Sequence, residues 1–248
     1  METTFSIALI LPFLLTLFVM GLIGFTAYMV FGGGKKLKIK RRDETSQFFL
    51  QKKTSALLPW EASKALRDLS SLCVRTAESS AIGPWSHCRG TVQSLTSRRD
   101  SWLAFTVNSQ NREGSIVLHT SVNEIIVNVR RVGPPDNSQQ AEIRIDNQFL
   151  GRMNLDTKVF FDKAGKPIGK LKGGKMIIMQ GMSNYVTVEM NGADIAEMNT
   201  QPFNWFDRLI QMPPIFKLYR RSLTTNEEWW LLALYATSLY RDCLTGSV

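Results

Sequence analysis

Near the end of the chain lies Asn226–Leu244, NEEWWLLALYATSLYRDCL. It is charged at both ends and apolar on every side between them, so its environment decides the fold. The apolar run Trp229–Tyr240 is about 18 Å long as a helix, far short of the roughly 30 Å that a membrane span needs. A helix lying at a membrane surface carries one face rich in Lys or Arg, and this run has none. A helix apolar all round must be covered all round. Thr225 and Glu228 are spaced as a capping box, Glu227 adds negative charge to the first turn, and Arg241 sits in the last. The stretch is therefore predicted as a buried helix over 226–243.

What precedes it supplies the cover. From residue 90 apolar residues alternate with polar ones in short runs separated by turn chemistry. The runs are TVQSLTS (91–97), SWLAFTV (101–107), SIVLHT (115–120), EIIVNVRRV (124–132), AEIRID (141–146) and FLGRMN (149–154). They continue as KVFFD (158–162), PIGKLK (167–172), KMIIMQ (175–180), YVTVEM (185–190), DIAEMN (194–199) and IFKLYRR (215–221). No helical stretch separates them between 91 and 200, which excludes parallel crossover units. The expectation is an antiparallel barrel of about 12 strands, curled or closed around the terminal helix. Within it DNQFLGRM, AGKPIGKL and NGADIAEM place a small residue, Gly151, Gly169 or Ala196, at the same point after a turn. Such a residue inside a strand marks a bulge or a close approach.

The other end of the chain reads differently. Phe5–Phe31 is 27 residues without a charge, longer than a bilayer requires and lacking the basic start of a signal peptide. It is predicted as a transmembrane anchor (1–34). Lys35, Lys36, Lys38, Lys40, Arg41 and Arg42 follow directly, in a basic linker (35–59). By the positive-inside rule the remainder is placed in the cytoplasm, with the cluster facing anionic lipid. Ala62, Ala65, Leu66, Leu69, Leu72, Cys73 and Ala77 recur at helical spacing and predict an amphipathic helix over 61–79, within a segment 60–84, ahead of the barrel domain (85–248).

Charge and motifs narrow the function classes. Net charge is +9, but residues 43–248 hold 24 basic and 20 acidic residues, too even for a nucleic-acid domain. Cys73, Cys88 and Cys243 are odd in number and far apart, which argues for free thiols in a reducing compartment. His87 and His119 lack a convergent third ligand or an orienting carboxylate. Asp146, Asp156, Asp162 and Asp194 stand at turns, where Asp serves the backbone. No nucleophile elbow, zinc helix, CxxC pair or phosphate loop is present, so neither enzyme activity, metal nor cofactor is expected. The densest basic run of the folded part, Lys158, Lys163, Lys166, Lys170, Lys172 and Lys175, is the candidate ligand patch for anionic headgroups.

The turns of DKAGKPIGKL, the late segment YVTVEMNGADIAEM and the terminal EEWWLLALYATSLY after IFKLYRR resemble the tubby C-terminal-like fold of tubby proteins, phospholipid scramblases and the plant LURP-one-related family. The resemblance covers about residues 91–245. It implies a barrel around a central helix and binding at membranes, with lipid scrambling as a possibility by fold analogy alone. The scramblases' lipid-modified cysteines and calcium-binding segment have no counterpart here, and an N-terminal anchor is foreign to tubby proteins. Residues 60–132 separately resemble the anchor, helix and small sheet of oxidase assembly factors, which implies two small domains. The reading as a whole is a single-pass, membrane-tethered, non-catalytic binding module for anionic phospholipid or a membrane protein partner, or else an accessory subunit of a membrane complex.

Overall fold

The computed structural model describes Met20 and residues 56–82, 85–94, 101–110, 113–133, 138–173, 185–200 and 209–245. The chain is mainly β, and the elements below belong to the unit Leu50–Val248. A short helix, α1 (Ala62–Leu69), buries Ala65, Leu66 and Leu69 and ends where the Ser70 and Ser71 hydroxyls turn back onto the Leu66 and Asp68 carbonyls. The strands are β1 (Cys73–Ile82), β2 (Trp85–Ser94), β3 (Ser101–Gln110), β4 (Glu113–His119), β5 (Glu124–Arg131), β6 (Gln139–Ile145) and β7 (Gln148–Asn154). They continue with β8 (Val159–Asp162), β9 (Pro167–Lys172), β10 (Tyr185–Met190), β11 (Ala193–Asn199), β12 (Leu209–Met212) and β13 (Phe216–Leu218). The long helix α2 (Thr225–Thr245) follows.

From β1 to β11 each strand pairs antiparallel with the next, and all thirteen form one sheet with β12 and β13 at its edges. The interior is filled by α2, whose Trp230, Leu231, Leu232, Leu234, Tyr235, Leu239 and Tyr240 are all buried. They meet the inward residues of the sheet, among them Phe105, Ile116, Val127, Phe160 and Phe216. The Trp230 ring stacks on Phe160 at 4.9 Å, and Tyr235 meets Phe216 edge to face at 5.9 Å. Fully burying a side chain of this size contributes about 1.5–3 kcal/mol. The helix is capped one residue earlier than its sequence implies. The Thr224 hydroxyl accepts from the Glu227 amide, and the Glu227 carboxylate accepts from the Thr224 amide at 2.8 Å.

A closed barrel is not what forms, and the reason lies at the seam. β12 is antiparallel to β1 and β13 is antiparallel to β11, so the two run the same way. They are two halves of one interrupted strand, the first paired on one edge of the sheet and the second on the other. Pro213 and Pro214 stand at the interruption, and proline has no N–H for a ladder. Ile215 takes over on both sides: its carbonyl accepts from the Asn199 amide and its amide donates to the Leu69 carbonyl at the end of α1. The thirteen strands thus form one ladder with β12 and β13 at its two edges, and it stays open.

Curling comes from the repeated turns. Each of the three sequence repeats carries a register shift on its hairpin, between β6 and β7, β8 and β9, and β10 and β11. The extra residue is Leu150, Ile168 and Ile195 in turn, directly before Gly151, Gly169 and Ala196. A bulge strengthens local twist and bends its strand. It also lets two consecutive apolar residues serve the interior, as buried Ile195 and Ala196 do. The β2–β3 hairpin repeats the device with Trp102 as the extra residue. The turns take the positive φ values of tight hairpins at Asp146–Asn147 and Asn191–Gly192.

Two further expectations are corrected. The helical pattern read over 61–79 gives a helix only to Leu69; from Cys73 the chain is extended, with Cys73 and Arg75 turned inward. A single-pass anchor, and with it a cytoplasmic placement, is not supported. Among the described residues no helix is long and apolar enough to cross a membrane. α1 has eight residues, and α2 is charged near both ends and enclosed by the sheet. Phe5–Phe31, apart from Met20, and Lys35–Arg42 lie outside the described residues, as does the strand expected at 175–180.

A Cβ at Gly169 would stand 2.3 Å from both the Glu189 carbonyl oxygen and Phe160 Cζ. Gly169→Ala is therefore expected to lower unfolding free energy by about 3 kcal/mol in urea titrations, at the upper end for overpacking. Trp230→Ala, which empties the space against Phe160 and Gly151, is expected to cost about 3–5 kcal/mol in the same assay.

Candidate anion-binding face

The six lysines singled out in the sequence do not form one patch. Lys170 and Lys172 point outward from β9, but their neighbours on β10 and β11 are acidic. Lys172 Nζ lies 2.5 Å from Glu189 and 2.8 Å from Asp194, and Lys170 lies 3.9 Å from Glu189. The Lys172 pKa is raised because Asp194, then Glu189, hold its ammonium form. The pattern continues across the edge, where Lys217 pairs with Glu197 at 3.3 Å and lies over the Tyr185 ring. This face is tiled with matched charge. Lys158, at a positive-φ position, is 3.4 Å from the Gly173 carbonyl oxygen. Lys175 lies outside the described residues.

Lys163 and Lys166 behave differently. They sit on the β8–β9 turn, where the Asp162 carboxylate accepts from the Ala164 and Lys166 amides, each at 2.9 Å. One oxygen of that acid is held by the backbone, and the turn sets two cations against its single negative charge. Among the described residues neither lysine has an ion-pair partner, and both are exposed. The same turn, through Gly165, walls a pocket of about 260 Å³ on the outer surface, together with Gln140, Arg152, Asn154 and Phe161.

The ladder registers explain the pocket. Gln140 lies opposite Asn154 and Glu142 opposite Arg152 between β6 and β7, and Arg152 lies opposite Phe161 on β8. Gly151 and Met153 face the interior, so Arg152 and Asn154 must face out. Arg152 is exposed and carries no ion pair among the described residues. Its nearest cross-strand acid is already engaged. Glu142 accepts from Arg144 at 2.8 Å and lies 3.9 Å from Arg130. The Asn154 side-chain oxygen accepts from the Asp156 and Thr157 amides, so what the side chain has left to offer is its N–H donors. Among the described residues the polar lining is one guanidinium and two carboxamides, with Phe161 as the apolar wall and no carboxylate.

Sequence reasoning passed over Arg152, Gln140 and Phe161. The available signal was the outward phase of the strand reading FLGRMN. Its meaning depends on where Glu142 and Asp162 spend their charge, which only the assembled sheet fixes.

Inside, the remaining titratable groups are sealed around α2. Arg75 Nη1 on β1 lies 3.4 Å from Asp242 Oδ2. Burial raises the Asp242 pKa from 3.8 to about 7, against the opposing pull of Arg75. Burial likewise pushes the Cys73 thiol up to about 12 and the Cys243 thiol well above its ordinary range. All three cysteines are free and buried. The Tyr240 hydroxyl is 3.3 Å from Ser109 Oγ. His87 Nδ1 is 2.7 Å from Asn108 Oδ1, and burial lowers the His119 pKa. Among the described residues no three His, Cys, Asp or Glu side chains converge on a metal-binding point. No protein family, characterised protein or solved structure matches the chain.

The Asp242 carboxyl is easier to protonate in the folded chain than in the unfolded one, so ionising it works against folding. Its contribution is complete below about pH 4 and is lost as pH rises through 7. The interval from 3.8 to about 7 corresponds to on the order of 4 kcal/mol. Melting temperature followed from pH 4 to 8 is expected to fall more steeply for the native chain than for Asp242→Asn, which has no proton to lose there.

Proposed function

We propose that this chain is a non-catalytic binding module that meets an anionic partner, the surface of an anionic lipid bilayer, on the outer face of β6–β8 and the turn after β8. One observation carries the reading: among the described residues Arg152, Lys163 and Lys166 have no carboxylate within ion-pair distance, whereas Lys170, Lys172 and Lys217 are each paired. Unmatched exposed cations leave a local field that a negative surface can use, and matched ones do not. The burial of α2 supports an outer site, since its side chains fill the interior a lipophilic ligand would otherwise enter. Burial favours the neutral forms of Cys73, Cys243 and Tyr235 around it, away from solvent, which supports a binding role over catalysis. Exposed Val122 and Phe149 add apolar tips. Val122 stands on the β4–β5 turn and Phe149 near the start of β7 opposite Arg144, and the Asn123–Asp146 hydrogen bond of 2.7 Å joins the two turns there. Apolar and basic groups side by side suit a headgroup region. The open sheet curled around a C-terminal helix also supports the resemblance to the tubby C-terminal-like fold.

Co-sedimentation of the whole chain with neutral and anionic vesicles tests this. Binding is expected only to anionic vesicles and is expected to weaken with salt. Each basic residue near the surface is worth about 1 kcal/mol, so Lys163→Gln with Lys166→Gln should weaken binding roughly thirtyfold. Lys170→Gln with Lys172→Gln should leave it nearly unchanged. All variants retain Lys35–Arg42, so the contrast between pairs isolates the turn. Equal effects of the two pairs, or indifference to vesicle charge, would contradict the proposal.

A further inference from the structure

We propose that the pocket between β6, β7 and β8 is a specific site for a phosphate monoester, with Arg152 as its anchor and Phe161 as the wall for the group that bears the phosphate. The inference rests on the reading of this outer face as the ligand-binding face, and it adds a defined stereochemistry to a general attraction.

The lining dictates the chemistry. Arg152 contributes a planar fork of N–H donors matched to two oxygens of an oxyanion. The Asn154 amide group is free to donate because its oxygen is held by two backbone amides. Gln140 stands across the ladder from it and adds a second carboxamide. A pocket with one fixed positive charge, two amide donors and no carboxylate selects a ligand group that is negative and rich in acceptors. Divalent cations are disfavoured by the same inventory. The Gly165 turn stands near the guanidinium, since a Cβ built at Gly165 would lie 3.5 Å from Arg152 Nη2. Lys163 and Lys166 on the same turn favour the second negative charge of a monoester over the single charge of a diester.

Size and shape narrow the class further. At about 260 Å³ the pocket falls just below the roughly 300 Å³ at which sites for drug-sized ligands begin. It has room for a phosphate and one small ring or short stem. Phe161 is half-buried and directly opposite Arg152 on β8, so a ring bound against it keeps its phosphate within reach of the fork. The phosphate can belong to a soluble monoester or to a lipid headgroup, and both present the same group to the same donors.

Calorimetric titration of the whole chain with inorganic phosphate and with phenyl phosphate, at matched ionic strength, tests the site. Saturable one-to-one binding is expected, tighter for phenyl phosphate. Arg152→Gln should weaken both at least tenfold, and Arg152→Lys should fall between, since it keeps the charge and loses the fork. Phe161→Leu should weaken phenyl phosphate alone, and Lys172→Gln should change nothing. Melting curves establish that each variant is folded. Vesicles of phosphatidic acid and of phosphatidylglycerol, adjusted to equal surface charge, identify the source. A preference for phosphatidic acid that Arg152→Gln abolishes assigns the phosphate to lipid. Soluble binding without that preference assigns it to a soluble ligand. Undiminished phosphate binding by Arg152→Gln, or none by the native chain, overturns the site. Charge-dependent vesicle binding lost with Lys163 and Lys166 would then still support the outer face, so the two proposals fail separately.

Discussion

A helix without a polar stripe has no side that water can stabilise, and between Trp230 and Cys243 only Ser238 and Arg241 of α2 escape burial. Enclosure of that helix is the constraint from which the remaining architecture follows. A flat sheet covers one face of a helix. Covering every face requires a sheet that turns through a full circuit, and each strand must then bend more than ordinary twist provides. The repeated bulges at Leu150, Ile168 and Ile195 supply the bend. The small residues after them admit the helix and the neighbouring strand, as the closeness of Gly151 to Trp230 shows. At the one place where two prolines interrupt the last strand, hydrogen bonding passes to Ile215 and the end of α1 rather than to a closed ladder.

The same enclosure sorts the polar residues. Charges that face inward are few and are held by partners or by protonation, as with Arg75 and Asp242. Exchange with solvent is left to the outer surface, and there the decisive property is pairing rather than the density of lysines. β9, β10, β11 and β13 match each cation with a carboxylate, while at the β8–β9 turn two lysines stand against the one carboxylate of Asp162, which accepts from backbone amides. Two regions of similar composition therefore carry different fields.

Much of the fold was legible in the sequence because its signals were local. The alternation of EIIVNVRRV, the turn residues before each bulge and the unbroken apolar girth of Trp229–Tyr240 each depend on neighbours within a few positions. β1 was illegible for a physical reason. Its inward residues include the charged Arg75, while apolar Val74 points the other way, so alternation is inverted and α1's helical spacing runs on through Leu72 and Cys73 by coincidence. The seam was illegible because proline's effect there depends on two strands about 120 residues apart in the chain, each pairing with one half of the interrupted strand. The candidate site was half legible. Lys163 and Lys166 stand out by composition, but the pairing of Lys172 with Asp194 and the lack of an ion pair at Arg152 among the described residues are decided by ladder register.

The central claim, that α2 is enclosed by the sheet on all sides, is tested most directly by native-state hydrogen exchange of its backbone amides. Enclosure predicts that the amides from Trp230 to Tyr240 exchange only through global unfolding, with the same free energy and denaturant dependence as the central amides of β3–β6. Exchange of that segment at a lower free energy, with little dependence on denaturant, would mean that the helix leaves the sheet while the sheet stays folded, and would contradict the account.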